Sequence, residues 1–263
     1  MAPAKESHHF STDFPILDWR DRKDYEALFN DAGDHHKAVG ESSTWYFRSQ
    51  EAVPRIEQAF PDSRYIVMLR NPVEMAPSLH WQIIFNGDED VKSFEKAWKL
   101  DPSRERGENI PARCQDPKYV QYRLTCNLGD QLARLYETVA RERVLTIFMD
   151  DMKTDVRKEW ARVLDFLGVA YWDDLDFSPE NLSKHWRWPW VPALYRIYAA
   201  TRQKLNLRPL GLGIFARIER LAVTRAEREQ IGADLHKDLV ATFSEDINLL
   251  SELTGRDLAH WKK

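Results

Sequence analysis

Two stretches of the chain are apolar at almost every position. Arg64-Tyr65-Ile66-Val67-Met68-Leu69 ends at Arg70-Asn71-Pro72, and Val144-Leu145-Thr146-Ile147-Phe148-Met149 ends at Asp150-Asp151. Short, β-rich runs that are apolar rather than alternating predict strands buried on both faces, as in a parallel sheet covered by helices. A shorter run, Lys37-Ala38-Val39, leads into Gly40-Glu41-Ser42-Ser43 and predicts a third strand. Elsewhere the apolar spacing is helical. Leu124, Leu128, Leu132, Leu135 and Val139 predict one helix over 120–141, and a second over 155–167 stops at Gly168, a helix C-cap. Thr224 with Glu227 has capping-box spacing and opens a last helix, whose face carries Ile231, Leu235, Leu239, Phe243, Ile247 and Leu250 and which ends near Gly255. Strands alternating with helices predict an α/β fold with a parallel sheet flanked by helices in three layers. The stretch 86–117, rich in charge, Pro and Gly, predicts a surface excursion beside the site.

Composition narrows the class. The chain has 263 residues, 43% of them hydrophobic, and a net charge of −4, which argues against disorder and for a single domain over 1–263. No uncharged apolar run approaches the roughly 20 residues of a membrane span, and no signal-peptide pattern opens the chain. Two cysteines, Cys114 and Cys126, make no disulfide framework and no zinc spacing, so a soluble, cytoplasmic protein is expected. The pairs His8-His9 and His35-His36 are poorly placed to share an ion, and no metal is expected.

Charge is uneven along the chain. Between 184 and 225 nine bases face the single acid Glu219, so this block carries +8. Trp186, Trp188, Trp190, Tyr195 and Tyr198 are interleaved with it. Such a stretch suits a sugar, an aryl acceptor, an anionic surface or peripheral membrane contact, and it equally suits a helix packed onto the domain. Nucleic acid is not among the expected partners.

In open α/β sheets ligands bind beyond the carboxyl ends of the strands. Pro72 is suited to open a helix there, which puts Arg70 at its mouth and Ser78 about two turns along. An arginine at a helix start with a hydroxyl nearby makes a phosphate clamp. The same spacing also fits an Arg70–carboxylate pair and an ordinary helix serine. No GxxxxGK[ST] motif is present, which weighs against a nucleoside-kinase-like phosphotransferase.

The run from Tyr65 to Glu74, with Ala76 and Ser78, resembles the 3′-phosphate motif of sulfotransferases that use 3′-phosphoadenosine 5′-phosphosulfate (PAPS). The resemblance implies that Arg70 and Ser78 hold the 3′-phosphate of the nucleotide. Lys5-Glu6-Ser7-His8-His9-Phe10, followed by Asp13, is similar to the "KEpHfF" segment of heparan-type and bacterial members, and Gly40-Glu41-Ser42-Ser43-Thr44-Trp45-Tyr46 to their "GEkSpxY" segment. Phe166-Leu167-Gly168-Val169 and Leu253-Thr254-Gly255-Arg256-Asp257-Leu258 with Trp261 resemble bacterial members. Five motifs in order cover nearly the whole chain. They imply a P-loop NTPase-like sulfotransferase fold and transfer of a sulfuryl group from PAPS to a hydroxyl or amine of a carbohydrate, small-molecule or lipid-linked acceptor, leaving adenosine 3′,5′-bisphosphate (PAP). They also imply Glu6 as catalytic base, with His8 orienting Glu6 or the acceptor.

Three departures qualify the resemblance. Met75 replaces a second arginine of the phosphate motif, and Ser42 stands where heparan-type members often carry lysine. The family's opening strand, Gly-rich loop with Lys and Thr, and helix are missing upstream of Lys5-Glu6; Gly211-Leu212-Gly213 lacks the lysine. Because Met1-Ala2-Pro3 matches a Met-x-Pro that precedes the segment in bacterial relatives, the expectation is a start at an internal methionine or a truncated form. The alternative is a non-catalytic nucleotide-binding or interaction protein that has lost this loop. Lys184 or Arg187 is a candidate late basic group of the 3′-phosphate site.

Overall fold

A computed structural model describes residues 6–15, 21–172, 174–178 and 231–263, together with the backbone of 184–186 and 223–225. The two long apolar runs form β1 (Tyr65–Leu69) and β2 (Val144–Phe148), which pair in parallel from Tyr65 opposite Val144 to Leu69 opposite Phe148. The fold is α/β, with a parallel sheet flanked by helices. Burial of β1 is one-sided: Val67 and Leu69 are buried, while Ile66 and Met68 are 40% and 49% exposed. Continuous apolarity fits a strand covered on both faces without supplying the second cover. Among the described residues, 37–39 form no strand and lie exposed. Three residues between Asp34-His35-His36 and Gly40 gain their backbone hydrogen bonds only from a neighbouring strand, and none of the described strands pairs with them.

The helices follow local chemistry. α1 (Arg22–Ala27) is capped by the Asp21 side chain on the Lys23 N–H, and α2 (Ala52–Ala59) precedes β1. Directly after β1, α3 (Pro72–Asn86) opens at the expected proline, where Asn71 accepts from the Val73 N–H through Oδ1 at 3.0 Å. The stretch 86–117 is more than a surface excursion. It contains α4 (Phe94–Glu105), which buries Phe94, Ala97, Trp98, Asp101 and Arg104.

The single helix expected over 120–141 is two, α5 (Tyr122–Cys126) and α6 (Leu128–Thr138). The break has a partner across the fold. Asp246 accepts from the Gly129 and Asp130 N–H groups, each at 2.9 Å, and caps the restarted helix. A Cβ on Gly129 would lie 2.5 Å from the Asp246 carbonyl oxygen, so only glycine fits this approach. Leu132, Leu135 and Val139 are buried as expected, whereas Leu124 is exposed.

After β2 come α7 (Met149–Thr154) and α8 (Val156–Leu167). Asp155 caps α8 through the Lys158 N–H, and Gly168 ends it at φ 72°, the left-handed conformation expected of this C-cap. Thr224 does not open the last helix. It belongs to β4 (Val223–Arg225), antiparallel to β3 (Lys184–Trp186), so its backbone is committed to a ladder. The final helix, α9, is Ala233–Thr254 and buries Leu239, Phe243, Ile247 and Leu250. The basic stretch 187–222, with Arg187, Trp188, Trp190, Tyr195, Tyr198 and 211–213, lies outside the described residues, as does Lys5.

By their contacts the described residues fall into two compact units. One lies within Met1–Met75, Arg123–Phe177 and Leu239–Lys263, the other within Ala76–Tyr122 and Ser178–Asp238. The first buries Leu69, Leu132, Ile147, Leu164, Phe243 and Trp261, and the second Ile83, Phe94, Trp98, Val120 and Tyr122. No described helix is long and apolar enough to cross a membrane.

Candidate active site

Two of the segments singled out in the sequence meet in the first unit. The Glu6 N–H donates to the Ser42 carbonyl at 3.0 Å, and the His8 N–H to Ser43 Oγ at 3.0 Å. Ser7 Oγ donates to Glu41 Oε2 at 2.6 Å, and Ser43 Oγ donates to the same oxygen at 3.1 Å. The Phe10 N–H donates to the Tyr46 hydroxyl at 3.2 Å. The loop is seated by Phe10, which is buried with Tyr25, Leu28 and Ala52 and packs edge-on to Tyr25 and Tyr46. Next to it the His9 ring stacks on Tyr25 at 4.3 Å.

The backbone here is under strain. Glu6 has φ 60° and His8 φ 51°, left-handed values that L residues with a Cβ avoid at a cost of about 1–3 kcal/mol each. Such residues persist where their surroundings hold them, and they cluster at functional sites. The strained turn buries the His8 side chain to 5% exposure and leaves that of Glu6 half-exposed at 51%. His8 Nε2 lies 3.6 Å from Glu6 Oε2, within ion-pair reach and beyond a direct hydrogen bond. The Tyr46 ring stands perpendicular to that of His8. Burial, and then the Glu41 charge, push the Tyr46 hydroxyl well above the usual phenol range, so it stays protonated at neutral pH. Asp13 points elsewhere, accepting from Ser49 Oγ and from the Gln50 N–H ahead of α2.

A second polar group of the same unit lies at the carboxyl ends of both strands. Arg70 follows β1 directly and is largely buried, and its Nη2 is 3.5 Å from Glu74 Oε2. Glu74 also lies 3.6 Å from Lys153 Nζ. The carboxylate partner considered from the spacing therefore exists, at the outer limit of a hydrogen bond. Beside it Asn71 Nδ2 donates to the Trp261 carbonyl at 3.4 Å, and Trp261 Nε1 donates to Asp150 Oδ2 at 2.7 Å. Arg256 pairs with Asp151 through both nitrogens, and its guanidinium lies 4.3 Å over the Phe148 ring. The Arg256 hydrogen bond holds the Asp151 carboxyl below the usual carboxylate range. For Asp150, burial acts upward but is outweighed by the Trp261 and His260 donors, and its carboxyl too is lowered.

Ser78 lies half-buried on α3, two turns after Pro72, in the second unit. Of the expected residues, Glu6 and His8 are brought together, and Arg70 stands at the strand end ahead of the helix that carries Ser78. Sequence reasoning did not assign a role to Glu41, Ser43 or Tyr46, nor to the Asp150–Asp151 pair and its partners Arg256 and Trp261. The signal lay in the motifs themselves, since each set joins two quoted segments. Among the described residues no group of three or more His, Cys, Asp or Glu side chains is arranged to hold a metal ion.

Residues 4–174 match the sequence profile of the Sulfotransferase family. Among solved structures the chain is similar to a sulfotransferase from Alicyclobacillus acidocaldarius, at 23% identity and a TM-score of 0.69, covering 100% of this chain and 87% of that one. No curated protein sequence matches it.

Proposed function

Because this chain belongs to the sulfotransferase family, we propose that it carries a sulfuryl group from PAPS to a hydroxyl or amine of a carbohydrate, small-molecule or lipid-linked acceptor. PAPS supplies the activated sulfuryl group and leaves as PAP. The acceptor must lose its proton as it attacks, and Glu6 is the proposed base. Its carboxylate is half-exposed, as a group that meets an incoming acceptor must be, and buried His8 beside it orients it or the acceptor. Arg70 and Ser78 are proposed to hold the 3′-phosphate. A guanidinium whose carboxylate contact is only 3.5 Å long can exchange it for a phosphate that takes two hydrogen bonds. A reducing compartment, the cytoplasm, is the proposed location, supported by two cysteines, Cys114 and Cys126, that are not joined in a disulfide.

The observation that carries this reading is the strained Glu6–His8 turn, with an exposed carboxylate and a buried imidazole. Its test begins at the nucleotide. Calorimetry should show that PAP binds the chain, and that Arg70→Ala weakens binding roughly ten- to hundredfold, about 1.5–3 kcal/mol for one charge-assisted contact. A folded chain that does not bind PAP would overturn the reading.

A further inference from the structure

The hydrogen bonds around Glu41 have one direction. Each of the backbone N–H groups of His8, His9 and Phe10 donates to a different hydroxyl: Ser43 Oγ at 3.0 Å, Ser7 Oγ at 3.4 Å and Tyr46 Oη at 3.2 Å. A hydroxyl has one proton to give. Ser7 and Ser43 both give theirs to Glu41 Oε2. Tyr46 Oη lies 3.3 Å from Ser7 Oγ; Ser7 gives its own proton to Glu41, so Tyr46 is the donor of that pair and the chain of donors ends at the same carboxylate. The 2.6 Å Ser7 contact has the short length of a charge-assisted O–H···O⁻ bond.

This polarity answers a structural need. A loop whose residues alternate into the left-handed region at Glu6 and His8 cannot satisfy these N–H groups in a helix or a ladder. Without a common acceptor the Ser7 and Ser43 hydroxyls would have nothing to fix their rotamers. A single anion on the far side orients all of them.

We propose that Glu41 is the positioning residue of this site: through Ser7, Ser43 and Tyr46 it fixes the backbone of residues 8–10, and with it the Glu6 carboxylate and the His8 ring. The catalytic part of this inference rests on the sulfotransferase reading; the positioning part does not.

Amide hydrogen exchange, followed by NMR in the whole chain, tests the positioning directly. Glu41→Ala should speed exchange at His8, His9 and Phe10 by tenfold or more, with the amides of β1 and α9 unchanged. Glu41→Gln keeps an acceptor oxygen and should restore most of the protection. Ser43→Ala, a milder change if Glu41→Ala folds poorly, should release the His8 amide alone. Unchanged exchange in Glu41→Ala, or a Gln variant no better than the Ala variant, would overturn the proposal.

PAPS hydrolysis, with water as acceptor, and PAP calorimetry supply the functional arm. Glu41→Ala should lower the hydrolysis kcat about tenfold while PAP affinity stays within twofold, and Glu41→Gln should recover the rate. An equal loss of PAP affinity would mean that Glu41 supports the fold at large, and would overturn its role at this site. A wild-type chain that binds no PAP would sink the sulfotransferase reading, and the exchange data would still decide for or against Glu41 as the anchor of the loop.

Discussion

Two carboxylates in this chain sit at the centre of hydrogen-bond clusters with a tyrosine, and they are held in opposite ways. Glu89, in the second unit, and Arg104 are both 0% exposed and joined by two hydrogen bonds, of 2.6 and 3.0 Å. Tyr122 Oη and the N–H groups of Asp90 and Val91 occupy the remaining lone pairs. Burial would push the Glu89 carboxyl up, but Arg104, Tyr122 and the Val91 N–H outweigh it and hold it below the usual range. Glu41, half-buried, takes its hydrogen bonds from hydroxyls, and among the described residues no cation pairs with it. The first arrangement cancels the charge and seals it. The second, among the described residues, is held by hydroxyls alone and lies beside a half-exposed Glu6, where strain in the backbone is also found.

Breaking the sealed pair should have the largest effect on stability. Arg104→Met leaves a buried carboxylate without its cation and should cost about 3–5 kcal/mol in urea unfolding. Adding Glu89→Gln removes the stranded charge and should recover a large part of that loss. An Arg104→Met chain as stable as the parent would mean that water reaches Glu89, and the contrast between the clusters would fall. The open cluster should respond more weakly. Tyr46→Phe strips the Phe10 N–H of its acceptor and Ser7 Oγ of its hydroxyl neighbour, and should cost about 1 kcal/mol, the typical net value of one hydrogen bond. A loss as large as that of Arg104→Met would show that both clusters are structural.

The contrast also marks what could be read before the structure. β1, β2, the Pro72 helix start and the Gly168 cap rest on local patterns, namely apolar runs, a ring that fixes φ and a residue without a Cβ, and all four are found. The third strand, the two-sided burial of β1 and the Thr224 cap depend on partners elsewhere, and in each the partner decided otherwise. The break between α5 and α6 is of the same kind, because it is set by Asp246, more than a hundred residues away. At the site, the motifs named Glu6 and His8 but not what anchors them. Glu41 was visible only as a letter in a second motif, since its role comes from three hydroxyls whose directions require coordinates.

The Asp151–Arg256 pair is the intermediate case, a two-nitrogen pairing like that of Glu89 but with the partners 29% and 32% exposed. It should therefore show the smallest and most salt-sensitive effect. The Asp151 carboxyl is lowered by Arg256, so its folded value lies below its unfolded one, about 3.9. Its contribution is then complete above that pH and is lost as pH falls through the folded value. Asp151→Asn should cost up to about 1 kcal/mol at pH 7, an allowance reduced for solvent screening. Below about pH 4 the variant and parent curves should converge, and at neutral pH added salt of about 1 M should narrow the gap between them. The Arg104→Met loss should be nearly indifferent to the same salt, because its charges lie out of reach of counterions. If Asp151→Asn were equally indifferent, exposure would not be what separates these pairs, and the hydroxyl-held Glu41 would lose its claim to be different in kind.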